Sequence, residues 1–279
     1  MDLPKMLPDI LPLIRLALAE DIGTGDINAQ LVPENRIAQA TIVTREEGVL
    51  CGQPWVNAIF AELAPAVQVT WHVEEGVGIH ANELLCTLDG PARALLTGER
   101  TALNFLQTLC GTATITRQYV EKLAGTKAQL LDTRKTIPGL RVAQKYAVKI
   151  GGGKNHRMGL YDAFLIKENH IAACGSITLA VGRAREIAAD KLLEVEVENL
   201  TELAEALQAR VDVVLCDNFS LELLQQAVHL TAGQAKLEAS GNITLINIAE
   251  VAATGVDYIS LGALTKHVHA LDLSMRLVM

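Results

Sequence analysis

The sequence predicts an α/β protein whose C-terminal half is built from parallel βα units. Three observations point there. First, from about residue 128 six short apolar runs recur: AQLLDTR, AFLIKEN, LLEVEVEN, VDVVLCDN, AKLEASGN and DYISLGA. Helical patterns separate them, including VAQKYAVKIGG, ITLAVGRAREIAA, LTELAEALQA, SLELLQQAVHL and NIAEVAAT. Strands alternating with helices imply a parallel sheet. Second, half of the 279 residues are hydrophobic but 4% are aromatic. The core material is therefore aliphatic, which suits strands packed under helices. Third, each run ends in a polar or small residue: Arg134, Lys167, Glu196 or Glu198, Asp217, Ser240 and Gly262. Functional groups at successive strand C-termini converge on one mouth if the sheet closes into a barrel. About 150 residues follow the long helix described next, short of the ~250 of a complete eight-stranded barrel. A barrel with fewer strands and an open doubly wound sheet both fit that length.

The N-terminal stretch MDLPKMLPDILPLIRLALAED reads as a leading loop and then a helix around Leu11 to Glu20. Its prolines, its acids and the lack of a small-residue cleavage site make it a poor signal peptide. DIGTGDIN is a turn-rich connector. IAQATIVTREEGVLCG and VQVTWHVEEGVGI carry β-branched runs broken by Glu-Glu-Gly turns, so the first 90 residues read as strand-rich. A long helix is predicted from about Pro91 to Cys110, capped by Asp89 or Gly90. Leu95, Leu96, Ala102, Leu103, Leu106, Leu109 and Cys110 fall on one apolar arc. Arg100, Asn104 and Gln107 form a polar stripe beside it, and Glu99 lands within the arc, where it would need a partner. Arg100 fits either a surface cation or a ligand-binding one.

Charge is unevenly spread. The chain is formally −8, yet residues 133–167 hold eight of its 24 Lys and Arg and, in Asp162, one of its 32 acids. Cations gathered against their mutual repulsion usually serve an anionic ligand. The acidic balance elsewhere argues against nonspecific nucleic-acid binding. No apolar run reaches the ~18 residues of a membrane span. Five scattered cysteines (Cys51, Cys86, Cys110, Cys174, Cys216) form no C-x-x-C pair and fit free thiols in a reducing cytoplasm. His267 and His269 form an H-x-H without the further ligands a zinc site needs.

The chemistry-bearing motifs lie in the second half. DTRKT puts Arg134 and Lys135 just past a strand, where Arg can grip a carboxylate or phosphate in bidentate fashion and Lys adds a point charge. GGGKNHR supplies Lys154, His156 and Arg157 on a glycine loop without Walker spacing. Lys167 suits anion binding better than Schiff-base chemistry, given its cationic neighbours. Glu194, Glu196 and Glu198 alternate along one strand face. Glu196 and Asp217 then form a carboxylate pair suited to Mg²⁺ beside a pyrophosphate. Ser240 with Gly241, and Gly262 with Ala263, allow backbone N–H groups to approach a phosphate. The inventory is that of a phosphoribosyl transferase acting on an anionic base.

DTRKTIPGLR, KYAVKIGGGKNHRMGLYDAFLIKENH, LEVEVEN, CDN, EASGNI and YISLGALT together resemble quinolinate phosphoribosyltransferase, also called nicotinate-nucleotide pyrophosphorylase (carboxylating). The resemblance begins at EDIGTGDIN and takes in GERTALNFLQ and ALDLSMRL. Cys216 stands where a larger aliphatic residue is commoner. The resemblance implies an incomplete, seven-stranded α/β barrel with an N-terminal open α/β sandwich domain. The sandwich with the long helix would span 1–113, and the barrel 114–279, with a C-terminal tail returning to the N-terminal domain. It further implies a homodimer with an active site shared between subunits, Arg100 coming from the neighbour. Arg134, Lys135, His156, Arg157 and Lys167 would line the quinolinate pocket. Glu196 and Asp217 would sit near the ribose and Mg²⁺, bound directly or indirectly, and Ser240, Gly241 and Gly262 would hold the 5′-phosphate. Lys135, Lys167, Glu196 and Asp217 are the expected catalytic set. The implied reaction joins quinolinate to phosphoribosyl pyrophosphate, giving nicotinate mononucleotide, pyrophosphate and CO₂ in NAD biosynthesis, with no organic cofactor, in the cytoplasm. Three rivals are a molybdenum-transport-linked paralogue taking another anionic base, a Schiff-base lyase using Lys167, and a noncatalytic sensor of an anionic metabolite.

Overall fold

A computed structural model describes residues 3–278. In chain order the elements are α1 (Leu3–Ile22), a 3-10 turn (Ala29–Leu31), β1 (Ile37–Thr44), β2 (Gly48–Val49), α2 (Gln53–Leu63), β3 (Gln68–Trp71), β4 (Gly78–Ile79), β5 (Leu84–Pro91) and α3 (Ala92–Lys122). They continue with β6 (Gln129–Leu131), α4 (Arg141–Ile150), β7 (Phe164–Ile166), α5 (Glu168–Cys174), α6 (Ile177–Ile187), β8 (Leu193–Val197) and α7 (Leu200–Gln208). The chain closes with β9 (Val213–Asp217), α8 (Leu221–Thr231), β10 (Lys236–Ser240), α9 (Ile248–Ala253), β11 (Tyr258–Ser260), α10 (Ala263–Lys266) and β12 (Leu273–Val278). Among these helices none is long and apolar enough to cross a membrane.

The chain divides into two compact units, neither continuous in sequence. One comprises 1–117, 137–152 and 267–279; the other comprises 118–136 and 153–266. Against the boundaries 1–113 and 114–279, the first unit runs on to 117 and takes in 137–152, containing α4, as well as the returning tail 267–279. α1 begins at Leu3, with Pro4 in the first turn, where no backbone donor is needed. That replaces the expected leading loop, of which residues 1 and 2 lie outside the described residues. The long helix α3 runs twelve residues beyond Cys110, to Lys122. The elements that escaped the sequence reading include the short helices α5 and α10, and also α2 and β5, whose apolar residues run on without clear alternation.

The first unit holds a four-stranded antiparallel sheet in the order β12-β1-β5-β3. β12 is the returning C-terminal segment and pairs Met275 opposite Ile42. Alternate residues of β1, Ala38, Ala40, Ile42 and Thr44, are buried, as a half-covered strand requires. Ile10, Ile14, Trp55, Phe60, Leu95, Leu106 and Tyr146 belong to its core. Trp55 and Tyr146 stack at 5.1 Å between ring centroids. Glu75 takes the N-terminus of α2, accepting from Gly52 N (2.8 Å), Gln53 N (3.1 Å) and the Tyr146 hydroxyl (2.9 Å). Burial pushes its carboxyl up in spite of these bonds. Gly111 lets α3 approach the chain at His269, since a Cβ there would overlap the His269 carbonyl.

The second unit holds the six strands expected from the sequence, all parallel, in the order β6-β11-β10-β9-β8-β7. The first strand lies beside the last, the neighbour order of a barrel rather than of a doubly wound sheet. β6 and β7 are the two ends of this order, and Lys154 makes an isolated parallel bridge to Leu131. The register levels the C-terminal ends: Leu131 faces Ser260, Ser260 faces Ser240, and Ser240 faces Asp217. One row earlier, Glu238 faces Leu215, which faces Glu196. Leu131 apart, the side chains of these two rows, from the four strands β8 to β11, line one cavity.

Candidate active site

A cavity of about 270 Å³ opens at the C-terminal ends of the second unit's strands. It is lined by Thr133, Arg134, Lys135, His156, Arg157, Leu165, Lys167, Glu196, Leu215, Asp217, Glu238, Ser240 and Ser260. Eight of the residues singled out from sequence therefore meet here. Gly241 and Gly262 lie one and two residues beyond the ends of β10 and β11. Arg100 sits on an exposed face of α3 in the first unit and is not part of this lining. Glu99 is half-buried beside it. Glu198 is exposed, at the turn where its N–H donates to Glu202, because the strand ends at Val197.

The basic loops are fixed by two acids, one of them fully buried. Asp132, fully buried after β6, accepts from Asn155 Nδ2 (2.6 Å) and from His156 N (2.8 Å). Asp162 accepts from Met158 N (2.6 Å) and Gly159 N (3.3 Å) and closes the loop beyond Arg157. Those bonds hold its carboxyl below the usual range, against burial. Arg157 donates to the Ala163 carbonyl (3.2 Å). Burial, and then repulsion from Arg134, lower its pKa, while Glu194 and Asp162 pull the other way. A pair of half-buried guanidiniums that repel one another has the charge to match an anion. Lys135 is held at both backbone ends, its N–H by Thr133 Oγ1 (3.0 Å) and its carbonyl by Thr265 Oγ1 (2.9 Å). Its side chain lies across Gly262, where an added Cβ would come within 2.7 Å of Cδ.

Two carboxylates stand opposite these cations. Glu196 pairs with Lys167, and Asp217 Oδ2 accepts from Asn218 Nδ2 (2.8 Å). Asn218 is left-handed (φ 55°), its N–H is taken by the Ser240 carbonyl, and Asn242 donates to its Oδ1 (3.0 Å). Gly241 (φ 97°) belongs to this network, because a Cβ there would come within 2.6 Å of the Asn218 Cγ. Glu196 Oε1 and Asp217 Oδ1 carry no protein hydrogen bond among the described residues. Two such oxygens on neighbouring strands fit a hard cation that keeps other oxygen ligands, as Mg²⁺ does.

Sequence reasoning noted Glu194 beside Glu196 on one strand face but missed Glu238, and both acids lie under the floor of this cavity. Glu194 and Glu238 have side chains 2% and 1% exposed and flank His156. His156 Nε2 lies 2.8 Å from Glu194 Oε2 and 3.7 Å from Glu238 Oε2. Its Nδ1 accepts the Arg157 N–H (2.8 Å), which leaves Nε2 to carry the ring proton. The three groups have the composition of a metal site. A metal would need the Nε2 lone pair, and this tautomer withholds it. Burial, and next the Glu194 carboxylate, push the Glu238 carboxyl up to about 8, with His156 opposing. The signal was available: an acid in the middle of LEVEV and of KLEAS, where apolar residues surround it.

A pH dependence follows. The folded state binds the Glu238 proton more tightly than the unfolded chain does. Its contribution to stability is complete below the ordinary carboxylate range and is lost as pH rises through about 8. The thermal midpoint is expected to fall as pH rises from about 4.5 to about 8 and to level off above that, and Glu238→Gln to flatten that fall. An equally steep fall in the variant would assign the dependence to other groups.

Profiles of known families match both halves. The quinolinate phosphoribosyl transferase N-terminal domain matches residues 24–110, and the C-terminal domain of the same family matches residues 112–276. A probable nicotinate-nucleotide pyrophosphorylase [carboxylating] of Bacillus subtilis is 46% identical over 92% of this chain and 89% of its own length. The nicotinate-nucleotide pyrophosphorylase [carboxylating] of Mycobacterium leprae is 42% identical over 95% of each. The solved structure of the nicotinate-nucleotide pyrophosphorylase from Francisella tularensis superposes with a TM-score of 0.94 at 49% identity, covering 97% of this chain and 96% of that one. Taken with the paired basic loops and the strand-end acids, these likenesses show that the chain belongs to the quinolinate phosphoribosyltransferase family.

Proposed function

We propose that this enzyme transfers phosphoribosyl from phosphoribosyl pyrophosphate to quinolinate, giving nicotinate mononucleotide, pyrophosphate and CO₂ for NAD biosynthesis. The observation that carries this reading is one cavity lined by Arg134, Lys135, Arg157 and Lys167 on one side and by Glu196 and Asp217 on the other. Family membership supports it. The guanidiniums hold the two carboxylates of the base and turn its ring nitrogen toward the sugar's anomeric carbon. That nitrogen carries no proton, so its attack needs no general base. Lys167 and Lys135 face the charge that grows on the departing pyrophosphate, and Glu196 and Asp217 face the positive charge that grows on the ribose. Mg²⁺, held beside Glu196 and Asp217, would neutralise the pyrophosphate further when bound. Once glycosylated, the ring nitrogen is positive and stabilises the electron pair left on the adjacent carbon as the carboxylate leaves, so an organic cofactor has no part to play.

In this reading the barrel is seven-stranded and incomplete, with the segment bridging at Lys154 as its short remaining strand. The catalytic set is Lys135, Lys167, Glu196 and Asp217. Ser240, Gly241 and Gly262 receive the 5′-phosphate through backbone N–H groups. Arg100, exposed on α3, completes the quinolinate pocket of a neighbouring subunit in a homodimer. Four buried thiols and an exposed one, all free, fit a reducing cytoplasm.

Turnover with quinolinate, phosphoribosyl pyrophosphate and Mg²⁺, followed through nicotinate mononucleotide and CO₂ together, tests the reaction. Product from quinolinate but not from nicotinate, lost with EDTA, is expected. No product from folded protein would overturn it. Gly241→Ala is expected to raise the KM for phosphoribosyl pyrophosphate at least tenfold. The added Cβ displaces Asn218 and forces a strained backbone, at about 1–3 kcal/mol. An unchanged KM would remove Gly241 from the phosphate site.

A further inference from the structure

The reaction proposed above leaves one atom unassigned, and the following inference rests on that reading. When the C2 carboxylate leaves as CO₂, its electron pair stays on C2 and a proton must take its place. A second cavity, also about 270 Å³, lies at the opposite end of the same sheet. Gln129, Leu192, Val213 and Tyr258, at the N-terminal ends of β6, β8, β9 and β11, line it. His156, Arg157 and Glu238 line both cavities. They are the partition between the substrate pocket and a chamber roomy enough for several waters.

We propose that Glu238 is the acid that delivers the proton to C2, and that the lower cavity is where it is reloaded. The C2–carboxylate bond breaks, CO₂ departs, and the electron pair on C2 takes the proton from the Glu238 carboxyl. Glu238 is left as a carboxylate and recovers a proton from water below. Three observations support this assignment over the other pocket groups. Lys167 is already paired with Glu196. The His156 proton is directed at Glu194. Glu238 Oε1 is buried with no hydrogen-bond partner among the described residues, although the carboxyl stays protonated to about 8. The groups facing it are Glu194 on β8, Ser260 on β11 and His156. The timing is also right: a carbanion without a nearby acid recaptures CO₂, so proton delivery commits the step.

The test separates the two halves of the reaction in single turnovers with quinolinate and phosphoribosyl pyrophosphate. For Glu238→Gln, pyrophosphate release is expected to change by less than about threefold and CO₂ release to drop by about 10²-fold, the usual scale for a missing general acid. The nucleotide still bearing both carboxylates should accumulate and be seen by mass spectrometry after an acid quench. Glu238→Asp, which keeps an acid, should recover part of the CO₂ rate. Equal slowing of both releases would make Glu238 a shaping residue and overturn the inference. Unchanged CO₂ release would overturn it as well. Failure of the wild type to release pyrophosphate would overturn the reaction itself, and this inference with it.

Discussion

Arg100→Ala is expected to lower kcat/KM for quinolinate by about 10²- to 10³-fold, since an arginine fork on a carboxylate makes two charge-assisted bonds of ~1.5–3 kcal/mol each. The thermal midpoint should not move, because the side chain is exposed on α3 and nothing in its own unit depends on it. Asp217→Ala should be inactive for a different reason, the loss of a carboxylate inside the cavity. The two variants are expected to complement. A freely exchanged equimolar mixture contains about half hybrid dimers, each with one intact site of two, so about a quarter of wild-type activity should return. Subunit exchange has to be demonstrated by mass or fluorescence. No recovery despite exchange would show that Arg100 does not serve a neighbour's site.

Arg157→Ala should raise the KM for quinolinate by about 10²-fold while changing that for phosphoribosyl pyrophosphate far less. Arg157 is pressed by burial and by Arg134, and an anion relieves both. Wild-type protein at a quinolinate concentration 100 times its Kd should gain about 2.7 kcal/mol of stability, a shift the variant should lack at the same concentration. Loss of protection by phosphoribosyl pyrophosphate instead would transfer Arg157 to the other substrate.

The fold was legible where pattern and periodicity coincide. The six strands of the second unit are short aliphatic runs that end in, or are followed directly by, a polar or small residue and alternate with helical patterns, and each was found. The first unit was read less completely. β5 ends at Pro91, which the sequence assigned to a helix start, and α2 follows a glycine whose capping partner, Glu75, lies over twenty residues on. The end of α3 also escaped, because Thr112, Thr114 and Thr116 return their hydroxyls to the carbonyls four residues back and interrupt an apolar pattern without breaking the helix.

What the sequence determined by itself was the chemistry: a basic cluster, acids at strand ends, glycines at phosphate distance, and the family they resemble. Those are statements about residue type and spacing, which the chain carries in any conformation. What the tertiary structure alone decided was adjacency. Glu194 and Glu238 are separated by more than forty residues and look like misplaced acids in apolar strands. Parallel register across β8, β9 and β10 sets them on either side of His156. Burial then does what no spacing can, raising one carboxyl to about 8 and keeping a proton inside the protein at neutral pH, because desolvation and a like-charged neighbour act through space.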